Sequence, residues 1–257
     1  MSRARSLWLP GVIAAIAITT TMDATGLSMF SALPLFPLAG LLWYLERHTR
    51  VEIGLSWGAW HHYVPALAYP ALVLGAAVLI ALVSGATHIE AFDSARFAKH
   101  VTINSLAAIP ALVLTEEGFF RGWMWASLAR VQRSKTRVLV WSSVAFSLWH
   151  LSAVSLNTGF DLPAAQIPIF MLNATLLGAI WGMLRWVSNS VVVASVSHAV
   201  WNAFNYELFG YGTKVGSLGI TNTYMFGTET GWVGLALNCI FEIGLWYWIV
   251  KPQVTHR

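Results

Sequence analysis

The chain has 257 residues, of which 57% are hydrophobic and only 10% are charged. Soluble globular domains carry roughly 25% charged residues, so this composition predicts an integral membrane protein. The single cysteine, Cys239, excludes a disulfide within the chain, and no Cys/His cluster has the close spacing of a structural zinc site. We therefore expect a fold that is held together by the packing of membrane helices.

Eight apolar stretches of the chain predict membrane-spanning helices. The first follows Arg3 and Arg5, and we interpret it as an uncleaved span because no clear small-residue cleavage site comes after it. Residues 51–63 are amphipathic, which predicts an interfacial helix. The expected fold class is all-α, a polytopic bundle of about eight membrane helices in a single domain over residues 1–257. The predicted spans are residues 7–22, 29–44, 64–86, 101–129, 138–156, 167–187, 191–209 and 232–250.

The Lys and Arg residues are distributed unevenly between the two ends of these spans. The positive-inside rule therefore predicts a multi-pass protein, best suited to a bacterial inner membrane, with both termini cytoplasmic. Because the cations are dispersed over helix ends and form no single stripe, the net charge of +4 does not indicate nucleic-acid binding. The inner ends hold Arg3, Arg5, Arg47, Arg50, Arg130, Arg133, Lys135, Arg137, Arg185, Lys251 and Arg257, and the outer ends hold Arg96, Lys99 and Lys214.

The fourth predicted span contains two adjacent glutamates and an arginine, Glu116, Glu117 and Arg121. A charged side chain at the centre of a membrane costs about 2.5 kcal/mol or more, so each of these residues needs a partner or a function. Glu117 and Arg121 are four residues apart and share a helix face, which predicts a structural ion pair. Glu116 points about 100° away by helical geometry and lacks an obvious local partner, so it is the candidate for chemistry.

Two later spans place further polar residues at a similar depth. Counted from the inner end of each span at about 1.5 Å per residue, Glu116 lies ~20 Å deep and His150 lies ~18 Å deep. By the same count Asn202 lies ~16 Å deep and His198 lies ~10 Å deep. Taken singly, His150 is equally well interpreted as an interhelical hydrogen bond, and Asn202 is more readily interpreted as one. Four such groups that fit in one layer favour a reaction site.

These residues belong to three motifs that follow one another along the chain. They are Glu-Glu-x-x-x-Arg at residues 116–121, Phe-x-x-x-His at residues 146–150 and His-x-x-x-Asn at residues 198–202. The ordered set resembles the CAAX-protease and bacteriocin-processing (CPBP) family of intramembrane proteases, which includes the type II CAAX prenyl endopeptidase. The resemblance extends over about residues 101–205, inside a predicted catalytic core of residues 101–209.

The resemblance implies a peptide-bond hydrolase with four catalytic residues. Glu116 and His150 are expected to activate water, while His198 and Asn202 stabilise the oxyanion. Peptide hydrolysis needs such a base and such donors, so the chemistry of the residues agrees with these roles. The expected supporting residues are Glu117, Arg121 and Phe146.

Two other functions stay open at this point. The same polar cluster suits a non-catalytic scaffold or immunity protein that binds a partner helix. It also suits a proton-coupled transporter in which Glu116 and the histidines relay protons. Neither an internal repeat nor a pair of broken helices supports the transporter.

The expected cofactor requirement is none, with zinc as the alternative. Glu116, His150 and His198 could instead be three ligands of a catalytic zinc ion that keeps a water in its fourth position. They come from separate helices, whereas catalytic zinc sites commonly take two ligands from one short helical spacing. The expected partners are membrane lipid and a membrane-associated peptide or protein substrate, such as a peptide precursor or a sorting signal.

Overall fold

A computed structural model of the protein describes residues 6–87, 89, 92–132, 134–212 and 214–252. The structure is 75% helical, and within these residues the β-structure is a short antiparallel hairpin of Gly210–Tyr211 with Lys214–Val215. The all-α fold predicted from the sequence is therefore confirmed. Four of the cations used to predict the orientation, Arg3, Arg5, Arg133 and Arg257, lie outside the described residues.

The helices follow the apolar stretches of the sequence. Two π-helices, Gly118–Met124 and Trp246–Val250, and two short 3₁₀-helices, Ser28–Phe30 and Trp60–His62, interrupt or extend them. The α-helices are α1 (Trp8–Ala24), α2 (Leu35–Glu46), α3 (Arg50–Ile53), α4 (Tyr63–Val83), α5 (Ser94–Leu114), α6 (Trp125–Val131), α7 (Lys135–Trp149), α8 (Leu151–Ser155), α9 (Ile167–Ser188), α10 (Val191–Leu208), α11 (Thr223–Phe226) and α12 (Trp232–Leu245).

Five helical segments of the described chain are long and apolar enough to cross a membrane. The other three predicted spans are also helical and correspond to α1, α10 and α12, of which α1 is apolar but only 17 residues long. The protein is thus a multi-pass membrane protein, while the number of eight spans stays a prediction. The five segments are Ser28–Glu46, Trp60–Val83, Ser94–Val131, Lys135–Ser155 and Ile167–Ser188.

The prediction of an interfacial helix over residues 51–63 is wrong. The helix α3 ends at Ile53, and the chain becomes helical again only at Trp60. Gly54 and Gly58 have φ angles of +80° and +71°, in the left-handed region that a right-handed helix cannot contain. These two glycines turn the chain, so the amphipathic pattern of this stretch does not correspond to one continuous helix.

The helix α10 packs against α4, α5 and α9, and α7 packs against α9. The interior contains large aromatic side chains, including the fully buried Trp123, Trp181 and Trp201. Many exposed side chains are apolar, among them Met29 and Trp248, which are 88% and 85% exposed. Such a surface is typical of a helix bundle in lipid, and the central position of α10 brings its polar residues into the interior.

The carboxylate of Glu46, at the end of α2, joins three parts of the chain. It accepts hydrogen bonds from Trp123 Nε1 at 2.6 Å, from Ser127 Oγ at 2.8 Å and from the backbone N–H of Leu7 at 2.8 Å. These donors satisfy both oxygens of a carboxylate that is almost fully buried. The contacts fix the segment that follows α5 against α1 and α2.

The predicted orientation is tested by reporter fusions. Fusions after His48, Lys135 and Lys251 are expected to report a cytoplasmic position, because cations at the ends of membrane helices favour that side. A fusion after Lys214 is the matched control and should report the opposite side. A periplasmic signal after Lys135 would contradict the predicted orientation.

Candidate functional site

The segment that contains the two glutamates is bent. The helix α5 ends at Leu114, Thr115 adopts φ −104° and ψ −102°, and a π-helix begins at Gly118. A Cβ atom on Gly118 would lie only 2.2 Å from the carbonyl oxygen of Val113, so this turn requires glycine. Single π turns inside helices occur frequently at functional sites. The bend orients Glu116 and Glu117 in directions that a continuous α5 would not give.

Glu117 lies at the centre of a buried network of ionisable side chains. Its Oε1 atom accepts from Arg121 Nη1 at 3.0 Å, as the sequence spacing predicts. The same oxygen lies 3.0 Å from Nδ1 of His198 on α10. Glu117 and Arg121 are both completely buried, and His198 is 3% exposed. The ion pair therefore also positions one of the predicted catalytic histidines.

The ring of Phe146 packs against the basic and imidazole groups of the site. The guanidinium of Arg121 lies 4.2 Å from the centre of this ring, and Arg121 Nη2 also donates to the carbonyl oxygen of Gly178 at 3.0 Å. The rings of His150 and His198 have their centroids 4.5 Å and 6.1 Å from the ring of Phe146. Phe146 is 1% exposed, so its ring is a buried contact surface for these three side chains.

His150 and Glu116 face each other without direct contact. Nδ1 of His150 lies 2.9 Å from the carbonyl oxygen of Phe146, and its Nε2 lies 3.9 Å from Oε2 of Glu116. Among the described residues, Oε2 of Glu116 has no hydrogen-bond partner. The two side chains are 22% and 15% exposed, whereas Oε2 of Glu116 itself is buried. The gap is too long for a direct hydrogen bond.

A cavity of about 640 Å³ adjoins these residues. Its walls include His150, His198 and Asn202, and the ring of Trp181 stacks on His198 with centroids 3.6 Å apart. Asn202 is part of the cavity wall, so its amide is available to a molecule in the cavity. The cavity is lined largely by apolar side chains and continues towards the loop of residues 158–160.

The structure brings the sequence-predicted residues into one region, with one difference from the expected arrangement. Glu117, Arg121, Phe146 and His198 contact one another, and His150 stands beside Glu116. Glu116 is not among the described residues that line the cavity and is adjacent to it through His150.

Two acidic residues of the cavity wall do not belong to any of the three motifs. Glu229 lies in the loop before α12, and Asp23 lies in the last turn of α1. Neither residue belongs to a spacing that predicts a site. The local signal for Glu229 is that it is the single acidic residue in the Gly/Thr-rich sequence of residues 210–230.

The zinc alternative depends on three side chains that converge. Among the described residues, no group of three His, Cys, Asp or Glu side chains is placed so that it could hold a metal ion. His198 uses Nδ1 to contact Glu117, and only its Nε2 atom is directed elsewhere. The side-chain geometry thus gives no support to zinc binding by Glu116, His150 and His198, and the metal requirement stays open to experiment.

Part of the chain matches the model of a known protein family. Residues 98–204 match the model of a family described as type II CAAX prenyl endopeptidase Rce1-like. This range contains all three motifs, and the match confirms the resemblance to CPBP proteases predicted from them. No curated protein matches the chain.

Proposed function

From the match of residues 98–204 to the Rce1-like endopeptidases, we propose that the protein hydrolyses peptide bonds of a membrane-associated substrate. The observation that supports this most strongly is the facing pair of His150 and Glu116 beside a cavity that also contains His198 and Asn202. In the proposed reaction, Glu116 and His150 activate a water molecule. His198 and Asn202 stabilise the oxyanion that forms on the substrate carbonyl.

The water position follows from the hydrogen-bonding roles of His150. A carbonyl oxygen only accepts, so the ring nitrogen beside Phe146 carries the hydrogen, and Nε2 of the neutral ring is an acceptor. Glu116 as a carboxylate is also an acceptor. A water about 2.8 Å from each would donate one hydrogen to Nε2 and one to Oε2 across the 3.9 Å gap. This arrangement exposes the oxygen lone pairs of the water for attack.

The proton and bond changes balance as follows. Glu116 takes a proton from the water, and the oxygen forms a bond to the carbonyl carbon of the substrate. The tetrahedral intermediate then breaks its C–N bond. Nε2 of His150 takes the second hydrogen of the former water from the intermediate and transfers it to the leaving amine, and Glu116 returns its proton to the new carboxylate, so the water is divided between a new carboxyl group and a new amino group.

The donor role of His198 requires a protonated ring. Because Nδ1 donates to Glu117, Nε2 of the neutral ring would be an acceptor and would repel an oxyanion. Protonation at Nε2 turns this atom into a donor. Nδ1 of His198 lies 3.0 Å from the Glu117 carboxylate, and its ring stacks on Trp181, so these two contacts orient Nε2. Asn202 follows one helical turn after His198 and adds its amide N–H.

The proposal is tested with purified protein and a library of apolar peptides. Mass spectrometry should detect new peptide termini with the wild-type protein. The matched control is the Asn202→Ala variant, which is expected to be about 10²–10³-fold slower because it lacks one oxyanion donor. Peptides that are bound but never cleaved would favour a scaffold function. In cells, the protein termini of the membrane fraction would be compared between the wild-type protein and a variant without Glu116, which would identify the substrate.

The reaction is also expected to proceed without metal. After exhaustive chelation, the cleavage rate should stay within about twofold of the untreated rate, since the proposed mechanism assigns base and donor roles to side chains alone. Bound metal is quantified in parallel. Stoichiometric zinc that is lost together with activity, and restores activity when added back, would contradict this mechanism and make Glu116 a ligand.

A further inference from the structure

Buried polar side chains from three helices hold the loop of residues 227–231, hereafter the Glu229 loop. Asn173 of α9 donates from Nδ2 to the carbonyl oxygen of Glu229 at 2.9 Å. Asn238 of α12 donates to the carbonyl oxygen of Thr228 at 3.3 Å, and the hydroxyl of Thr228 donates to Asn205 of α10. Fully connected networks of this kind rigidify the backbone that they contact.

The hydrogen-bond network extends beyond the Glu229 loop, and the loop backbone packs closely against α12. Asn238 also donates to Oδ1 of Asn173 at 3.0 Å and accepts from the hydroxyl of Tyr69 on α4 at 2.8 Å. At Gly234, a Cβ atom would lie 2.1 Å from the carbonyl oxygen of Thr228. The backbone of the Glu229 loop is therefore fixed from several sides.

The Glu229 side chain lines the same cavity as His198 and Asn202. Trp201 Nε1 donates to its Oε1 atom at 2.8 Å, which fixes the carboxylate beside the turn of α10 that carries Asn202. Among the described residues, no donor contacts Oε2 of Glu229, although this residue is only 8% exposed. Oε2 of Glu229 is not among the buried side-chain atoms that lack a partner, so this oxygen is open to the cavity and available to a donor that arrives with a ligand.

A second carboxylate of the cavity wall also has one oxygen without a donor. Asp23 is 2% exposed, and its Oδ2 accepts from Ser152 Oγ at 2.6 Å. Its Oδ1 atom is buried and has no partner among the described residues. The lysine that lines the cavity, Lys214, already donates to the Tyr211 hydroxyl and lies over the Tyr211 ring. The unused polar atoms of Asp23 and Glu229 are thus acceptors.

We propose that Glu229 is a specificity-determining residue that binds a Lys or Arg side chain close to the scissile bond of the substrate. Asp23 provides a second acceptor for a basic group farther along the cavity. The inference rests on the proposed peptide-cleaving function and adds the class of substrate, an apolar peptide with basic residues. Basic side chains supply the N–H donor that one oxygen of each carboxylate lacks, and the apolar walls accept the rest of the peptide.

The test uses binding, so that it does not depend on cleavage. The probes are apolar decapeptides with one Lys placed at each position in turn, and a matched set with norleucine in place of Lys. Affinities are measured by fluorescence anisotropy for the detergent-solubilised Glu116→Gln protein. The best Lys peptide is expected to bind about tenfold or more tightly than its norleucine counterpart, because a hydrogen bond between charged groups is formed in a buried site.

The second measurement adds Glu229→Gln to the same protein. We expect the preference for Lys to disappear at that peptide position, with little change for the norleucine peptide. Glu229→Asp, which keeps the charge, should retain a preference. Glu242→Gln is the matched control because Glu242 lies on α12 and is not among the described residues of the cavity wall. Asp23→Asn should reduce the preference at a different peptide position.

Each outcome decides for or against the inference. Equal affinity for Lys and norleucine peptides in the Glu116→Gln protein would overturn it, even if Glu229→Gln failed to fold. An equal loss for both peptide sets in Glu229→Gln would also overturn it, since that result indicates a structural role. A Lys preference that depends on Glu229 in a protein whose wild type cleaves no peptide would support the inference and refute the proposed function.

Discussion

Replacing Glu116 by Gln is expected to lower the rate of peptide cleavage by about 10²–10⁴-fold, the usual contribution of a general base. The amide keeps the shape of the side chain and cannot take a proton from water. Since Oε2 of Glu116 has no hydrogen-bond partner among the described residues, the substitution breaks no such contact at this atom. The measurement is the single-turnover cleavage rate together with the thermal unfolding temperature.

The control for this change is Glu207→Gln, in the last turn of α10. Glu207 is a partly exposed carboxylate that lies 3.5 Å from His100 and does not line the cavity. Its substitution should leave the rate within about twofold of wild type, because exposed ion pairs contribute little. An active Glu116→Gln protein would exclude Glu116 as the base. If the activity of Glu116→Gln fell only as far as its folded fraction, the lower rate would not be evidence that Glu116 is the base.

Removing one partner of the Glu117–Arg121 pair is expected to destabilise the protein strongly. Both side chains are completely buried, and their atoms are 3.0 Å apart. Loss of one partner leaves the other charge uncompensated, which costs ~3–5 kcal/mol in buried pairs. Glu117→Ala and Arg121→Ala should therefore unfold at lower temperature and accumulate less in the membrane. The quantity to measure is the midpoint of thermal or denaturant unfolding in the same detergent.

A double variant separates the charge from the packing. Glu117→Gln with Arg121→Met keeps most of the volume and contains no charge, so it should recover part of the stability that either single substitution to Ala loses. Activity should stay low, because His198 would lose the carboxylate that accepts the hydrogen bond from its Nδ1 atom. Normal stability and complete loss of activity in Glu117→Ala would instead show that the two glutamates have been assigned the wrong roles.

Several features of the site depend only on local spacing, and these were predictable. The pairing of Glu117 with Arg121 follows from four residues of helix, and the structure confirms it at 3.0 Å. The high apolar fraction predicted membrane helices because a lipid environment requires the backbone to satisfy its own hydrogen bonds. The order of the three motifs predicted the family similarity, which residues 98–204 confirm.

Other features depend on neighbours that are remote in the chain. The turn at Gly54 and Gly58 overrode an amphipathic pattern, and the bend at Thr115 divided an apolar run that reads as one helix. Glu229 enters the cavity because Asn173 and Asn238 fix its loop. Asn173 lies 56 residues along the chain from the residue whose carbonyl oxygen it contacts, and Asn238 lies 10 residues from its own acceptor. Such contacts leave no periodic pattern in the sequence near Glu229.

The amino-acid sequence by itself determined the membrane-helix class, the motifs and the ion pair, because composition and spacing along one helix are local properties. Only the tertiary structure decided which oxygen of Glu117 His198 contacts, how far His150 stands from Glu116 and which carboxylates line the cavity. Those distances are set by the packing of α7, α9 and α10 around the π-helix. The position of a residue along its helix predicts its depth in the membrane, and therefore only that several side chains share a layer. Which of these side chains are in contact is decided when the helices pack together.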